Sequence, residues 1–276
     1  MRSELGKIIG KSAGTTSSSA QSSTFPSFNP NRATRMHYQM LQPGSKAVYK
    51  EIYEALMSFS EGVRIKGTDN VDAVIEILHA VQYDNPAIFW IYNKITYTTY
   101  PNSVKIWFTY NVNSKQKQEY GQQIQAVAEQ LYNSKIKKCR TEYEVERAVH
   151  DYLTHSVEYM HDKNYELYHT LIGPLLMGKG VCEGIAQAAT YLLNCYGVRC
   201  TTIPGDSKGN GLDWRGHAWN IVILDGEAYH MDATFDLECN SYFCNRTYFN
   251  RNDAYMRADH RWTFDMECNG KKYLNE

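Results

Sequence analysis

Cys182 stands where a cysteine serves best as a nucleophile. It lies in Met177-Gly178-Lys179-Gly180-Val181-Cys182-Glu183-Gly184-Ile185-Ala186, a glycine-rich approach followed by an apolar helical pattern. That pattern puts the sulfur at or near the first turn of a helix. Backbone N–H groups and the helix dipole there favour the thiolate, the form that attacks carbonyl carbon. A histidine and an aspartate follow in Gly216-His217-Ala218-Trp219 and Tyr229-His230-Met231-Asp232-Ala233-Thr234.

Residues 217–224 and 227–232 read as two strands joined by Asp225-Gly226, a strong two-residue hairpin signal. In that hairpin Leu224 faces Glu227, so His217 faces Thr234 and Asp232 is a diagonal neighbour on the same face. A one-residue bulge would break this register. The carboxylate would fix the imidazole tautomer and stabilise its cation. With a thiol at a helix start packed on that sheet, the parts of a Cys-His-Asp triad are present. Cys182 is then the nucleophile, His217 the base and later the acid, and Asp232 the residue that orients His217. The Cys182 backbone N–H points where an oxyanion would develop. His230 is one position off in the period-two pattern and is expected to face away from His217, which excludes it as the base. A helical cysteine alone is usually core, and a His–Asp pair on a sheet is often structural; the three motifs together favour chemistry.

The rest of the composition narrows the alternatives. A net charge of −1 and the lack of a basic run argue against nucleic acid or an anionic membrane as the main partner. No stretch of about 20 apolar residues is present, so no membrane span is expected. The first fourteen residues lack the apolar core of a signal peptide, which implies a cytoplasmic protein, or a secreted one if a natural leader has been omitted. Seven cysteines in a chain of 276 residues do not suggest a disulfide framework. A zinc site from Cys239, Cys244 and Cys268 competes with the simpler reading of small buried apolar residues. The 22 tyrosines suggest strand-rich structure first and a binding surface second.

Residues 1–40 are Ser/Thr-rich and read as a disordered or linker segment. Residues 41–138 read as a small α/β unit. Helical spacing marks 47–60, 71–82 and 118–132, and strand-like runs cover 87–98 and 104–112. His79 reads as a packed helix residue rather than a ligand. Thr141-Glu142-Tyr143-Glu144 is a capping box that opens the next helix. The helix from Cys182 runs to about Tyr196, Gly197 caps it, and 198–203 forms a strand. Residues 205–216 read as a long flexible loop beside His217. Either it is a lid, with Asp213, Trp214 and Arg215 touching substrate, or an ordinary surface loop. Trp219 is a further candidate substrate contact.

These motifs resemble the transglutaminase-like superfamily. The resemblance rests on Gly180-Val181-Cys182-Glu183-Gly184-Ile185-Ala186, His217-Ala218-Trp219-Asn220-Ile221-Val222 and Tyr229-His230-Met231-Asp232-Ala233-Thr234. It covers about 140–262, including the Tyr248-Phe249-Asn250 and Asp259-His260-Arg261-Trp262 tail common in bacterial members. It implies an α+β papain-like transglutaminase core over 139–276, with a nucleophile helix packed on an antiparallel sheet, preceded by the small α/β domain. Cys182, His217 and Asp232 match the family triad residue by residue. The papain family proper fits less well, because its Cys-Gly-Ser-Cys-Trp-type signature is missing and Leu176 stands where it has a glutamine. Animal-type members use a tryptophan upstream of the cysteine. Here Trp90 and Trp107, both outside the matching region, are the upstream tryptophans, which leaves the second oxyanion donor open. Tyr165, Tyr168 and His169 are candidates for it by position.

The expected function is cysteine-dependent acyl transfer at an amide through a thioester, with hydrolysis of a peptide-like substrate as the first reading. Protein-glutamine transamidation or deamidation would use the same triad. A non-catalytic protein- or glycan-binding module on the same fold is the alternative class, with the N-terminal unit as the contact surface. No cofactor is needed, and no acidic loop cluster suggests calcium.

Overall fold

The computed structural model describes residues 25–91, 94–161, 165–208, 213–237 and 245–274. Residues 25–40 differ from the expected linker. Met36 is buried, Arg32 donates to the Asn194 carbonyl at 3.2 Å, and Thr34 Oγ1 donates to the Cys200 carbonyl at 3.1 Å. The polar side chains that suggested a solvated segment are spent on core carbonyls.

The N-terminal half begins with α1 (Met36–Met40), α2 (Pro43–Met57), β1 (Gly62–Lys66) and α3 (Val71–Asp84). β2 (Thr96–Tyr100), β3 (Ser103–Trp107) and α4 (Ser114–Ser134) follow. Local chemistry sets the helix starts: Pro43 occupies the first turn of α2, and Asn70 Oδ1 accepts the Ala73 N–H at 3.1 Å to cap α3. Asn113 and Gln116 form a reciprocal capping box on α4. The strands form an antiparallel sheet in the order β1-β3-β2. The strand expected over 87–98 is present only at its end. Ile88, Phe89, Trp90 and Ile91 are all buried in an irregular stretch. The Asn111 side chain satisfies the Phe89 and Ile91 carbonyls there, and Trp90 Nε1 donates to the Leu56 carbonyl.

The second half runs through α5 (Glu142–Ser156), β4 (Glu158–Tyr159), β5 (Lys179–Gly180) and α6 (Cys182–Tyr196). It continues with β6 (Arg199–Ser207), β7 (Arg215–Leu224), β8 (Glu227–Met231), α7 (Asp253–Met256) and β9 (His260–Trp262). Thr141 caps α5, while the Glu144 carboxylate bonds the Arg140 N–H rather than closing the box on Thr141. Gly197, at φ 102°, ends α6 in the left-handed conformation. Asp225 and Gly226 both have positive φ, as a tight hairpin turn requires. The register runs from Leu224↔Glu227 to Asn220↔Met231 without a bulge. β6 extends through Ser207 and β7 starts at Arg215, so the connecting loop is shorter than its glycines suggested. Its residues 209–212 lie outside the described residues.

The antiparallel sheet β8-β7-β6-β9 has two covered faces. Val222, Leu224, Tyr229 and Met231 join Ile185, Ala188, Ala189 and Leu192 of α6 in one apolar cluster, which continues into α2, α3 and β3. On the other face Ile203, Trp219, Ile221 and Ile223 pack with Met36, Met256 and Cys268. The fold is α+β, with α6, the helix that begins at Cys182, laid against an antiparallel sheet. Among the described residues no helix is long and apolar enough to cross a membrane.

Candidate active site

Cys182 is the first residue of α6, and close packing accounts for the glycines around it. A Cβ at Gly184 would stand 2.2 Å from the Tyr168 carbonyl oxygen, and one at Gly180 would stand 2.9 Å from the Pro174 ring. The Val181 N–H donates to the same Tyr168 carbonyl at 3.1 Å. Asn220 of β7 ties the helix to the sheet: its Nδ2 donates to the Ala186 carbonyl at 2.9 Å and to Thr190 Oγ1 at 3.0 Å. The helix start is therefore fixed against both the preceding segment and the sheet.

The hairpin brings His217 and Asp232 together as its register requires. His217 Nε2 donates to Asp232 Oδ2 at 2.6 Å, with both side chains buried. Asp232 Oδ1 accepts the Thr234 and Phe235 N–H groups at 3.0 and 3.2 Å. Since Nε2 is engaged, Nδ1 is the nitrogen left for the sulfur. Burial acts on all three groups, and in each case specific partners outweigh it. Burial alone would raise the Cys182 thiol, but the hydrogen bond and charge of His217 and the Ala218 N–H hold it below its ordinary value. Burial alone would lower His217, but the Asp232 charge and hydrogen bond, then Cys182, push it up. Burial would raise Asp232, yet His217 and His260 hold its carboxyl well below the carboxylate range. The directions agree on a thiolate–imidazolium pair.

The sulfur opens onto a cavity of about 190 Å³ whose walls include Tyr83, His169, Glu183, Pro204 and Gly216. His169 Nδ1 and a Glu183 carboxylate oxygen lie 3.2 Å apart at its rim. Tyr83 comes from α3, a helix in which the sequence pattern showed nothing catalytic. His79, one turn earlier and half-buried, is lowered mainly by burial and feels the Glu183 charge.

Three expected features fall elsewhere. Trp219 is 1% exposed, and its indole N–H donates to His230 Nδ1 at 3.0 Å, so it backs His217 from within the sheet instead of meeting substrate. Trp214 is half-buried between the cations of Lys208 and Arg261, and Asp213 is exposed; neither lines the cavity. His230 does not face away from His217. Its partner across the hairpin is Ile221, an even number of residues from His217, which puts both on one side of the sheet. Its Nδ1 is filled by Trp219 and its Nε2 by Asp253 at 2.9 Å, and this is what excludes it as a base.

Of the three proposed oxyanion donors only His169 reaches the cavity; Tyr165 is exposed, and Tyr168 contributes its backbone carbonyl to the helix start. The phenol beside Cys182 is Tyr159, on β4. Its hydroxyl is pushed up to about 12 by burial first and then by the charge of Cys182 beside it. The parallel register Tyr159↔Gly180 holds it there. A two-residue strand leaves no periodic signal, so Tyr159 was not legible in the sequence.

Two groups among the described residues bring three side chains of metal-ligand type within 4.8 Å: His217, Asp232 and His260, and His230, Asp253 and Cys268. In the second group His230 Nδ1 accepts the Trp219 N–H, so its own proton sits on Nε2 and no lone pair is left for a metal. Cys239 and Cys244, the other members of the considered zinc set, lie outside the described residues.

A thiol at a helix start beside a carboxylate-held imidazole on an antiparallel sheet is the arrangement of a papain-like cysteine enzyme core. Residues 129–233, which include Cys182, His217 and Asp232, match the sequence profile of the transglutaminase-like superfamily. The chain is 30% identical over 128 residues to kyphoscoliosis peptidase of Homo sapiens and 29% identical over 116 residues to that of Mus musculus. These alignments cover 42% and 38% of this chain, and 19% and 18% of the relatives. The chain thus spans about a fifth of the length of the curated relatives it matches. Solved structures similar to it include a TGase (16% identity, TM-score 0.38, covering 68% of this chain and 55% of that one). Another is a candidate cysteine protease from Cytophaga hutchinsonii (14% identity, TM-score 0.35, covering 51% and 61%).

Proposed function

We propose that the chain is a cysteine-dependent amide hydrolase acting on a peptide-like substrate. The observation that carries this reading is the thiol of Cys182 held low beside an imidazole held high by Asp232 at 2.6 Å. The thiolate attacks the amide carbonyl carbon, forming a C–S bond as the carbonyl π pair moves onto oxygen. The Cys182 N–H and the Tyr159 hydroxyl are the donors best placed for that oxyanion. His217 gives its proton to the departing nitrogen, the C–N bond breaks and the amine leaves. Water then attacks the thioester as His217 takes one of its protons, and the C–S bond breaks to regenerate the thiol. Asp232 stays ionised and orients His217 throughout.

A glutamine side-chain amide in place of the peptide bond makes the same cycle a deamidation, and an amine in place of water makes it a transamidation. Incubation with a peptide library, read by mass spectrometry, separates cleavage, deamidation and amine adducts. Cys182→Ala must abolish whichever product appears. A product that survives in Cys182→Ala would remove the nucleophile. A purely binding role needs no depressed thiol; it gains ground if Cys182 alkylates no faster than a free cysteine at pH 6.

A further inference from the structure

Asp232 serves two imidazoles. Its Oδ2 lies 2.6 Å from His217 Nε2 and 3.1 Å from His260 Nε2. His260 is 1% exposed and sits at the start of β9, where the register Ser207↔His260 brings it over the end of β6. Its other ring nitrogen, Nδ1, lies 2.6 Å from Asp259 Oδ1, and Asp259 Oδ2 in turn accepts the Tyr248 hydroxyl. The rings of Trp219, Phe235 and Tyr248 wall it in, with centroids 4.9, 4.9 and 5.5 Å away. A chain of polar contacts therefore runs from Tyr248 through Asp259, His260 and Asp232 to His217 and the sulfur. The catalytic cycle described above uses only its last three members.

Resting on that proposed triad, we infer that His260 is a positioning residue that holds Asp232 and limits how much of its negative charge His217 and Cys182 experience. The carboxylate accepts and cannot donate, so the hydrogen between it and His260 belongs to His260 Nε2. That N–H shares Oδ2 with His217 and draws charge from it. Take it away, and the carboxylate charge falls undivided on the site. An undivided negative charge makes both protons there harder to remove, the imidazolium proton of His217 and the thiol proton of Cys182. The titratable groups that face His260 are Asp232, Asp259, His217, Tyr248 and His230. Asp259 meets the other ring nitrogen of His260, so the two carboxylate contacts can be removed separately.

Two polar variants separate the ring nitrogens. His260→Asn places an amide at the level of Nδ1, so it retains the Asp259 contact and loses the Asp232 contact. His260→Gln reaches the level of Nε2 and restores an N–H toward Asp232. The readout is the rate of Cys182 alkylation by iodoacetamide across pH, which needs no identified substrate. The expected result is that the acid limb of the profile moves up by about one pH unit in His260→Asn and returns toward the parent chain in His260→Gln. Superimposable profiles for His260→Asn and the parent overturn the inference, as do equal shifts in both variants. If the parent chain shows no enhanced alkylation near pH 6, or if His217→Ala leaves the rate unchanged, it is the triad that fails. Thermal unfolding of each variant identifies any change that comes from loss of fold.

Discussion

Replacing Glu146 by glutamine changes one proton and almost no volume, and it should reshape the pH dependence of stability. Glu146 projects from α5 and is fully buried. Its Oε2 accepts Asn250 Nδ2 at 2.9 Å, while Glu146 Oε1 and Asn250 Oδ1 have no partner among the described residues. A buried carboxylate oxygen with no donor favours the protonated, uncharged carboxyl. Burial pushes that carboxyl up to about 8, from an ordinary 4.5, against the pull of Asn250 and His150. A folded pKa raised in this way gives stability that is complete below the unfolded value and is lost as pH rises through the folded one. Over that three-and-a-half-unit window, at about 1.4 kcal/mol per unit, the loss reaches at most roughly 5 kcal/mol. Glutamine carries its own N–H donor and has nothing to titrate. Urea unfolding from pH 5 to pH 8.5 should therefore show the stability of Glu146→Gln gaining on the parent by about 1.4 kcal/mol per unit through this window. Parallel stability curves would mean that Glu146 is already ionised in the fold, and the reasoning from its unpartnered oxygens would be wrong.

Three further outcomes follow from the site. Asp232→Asn must present one N–H either to the two imidazoles or to the Thr234 and Phe235 amides, which also need acceptors; turnover should fall by a factor on the order of 10³–10⁴ with the fold retained by circular dichroism. Tyr159→Phe should lower kcat by roughly 10²-fold with little change in KM; an unchanged kcat would leave the oxyanion to the backbone alone. Gly184→Ala drives a methyl into the Tyr168 and Thr170 carbonyls, 2.2 and 2.8 Å from the ideal Cβ position. It should cost roughly 1–3 kcal/mol in unfolding free energy and slow Cys182 alkylation as the helix start shifts.

The residues that could be read from the sequence were those whose partners are local or fixed by a turn. Asp225-Gly226 determines the register of β7 and β8, and that register carries His217 to Asp232. The start and end of α6 follow from its flanking glycines and apolar spacing. What could not be read depends on contacts between distant segments. The run 88–91 is apolar enough for a strand, but Asn111 and Leu56 supply the hydrogen-bond partners that make it irregular. β1 buries Ile65 alone, too little to leave a periodic pattern. Tyr83, Tyr159 and His260 reach the site through α3, a two-residue parallel pairing and a terminal strand. His230 was misplaced for a different reason: the period-two rule holds within a strand, and the turn between β7 and β8 changes which numbers share a face.

Tyr83 ties the N-terminal half to the cavity beside Cys182. One wall of the cavity beside Cys182 belongs to α3, and the apolar side chains of α2 and α3 are continuous with those beneath α6. The segment that carries Cys182, His217 and Asp232 is consequently not a transplantable cassette. Cutting the chain ahead of α5 would remove part of the cavity wall beside Cys182 and strip the lining from the core at the same stroke. Substitutions on the apolar faces of α2 and α3 therefore reach the packing beneath α6, and grafting a different N-terminal half would have to supply both a phenol at the cavity wall and a matching apolar surface below it.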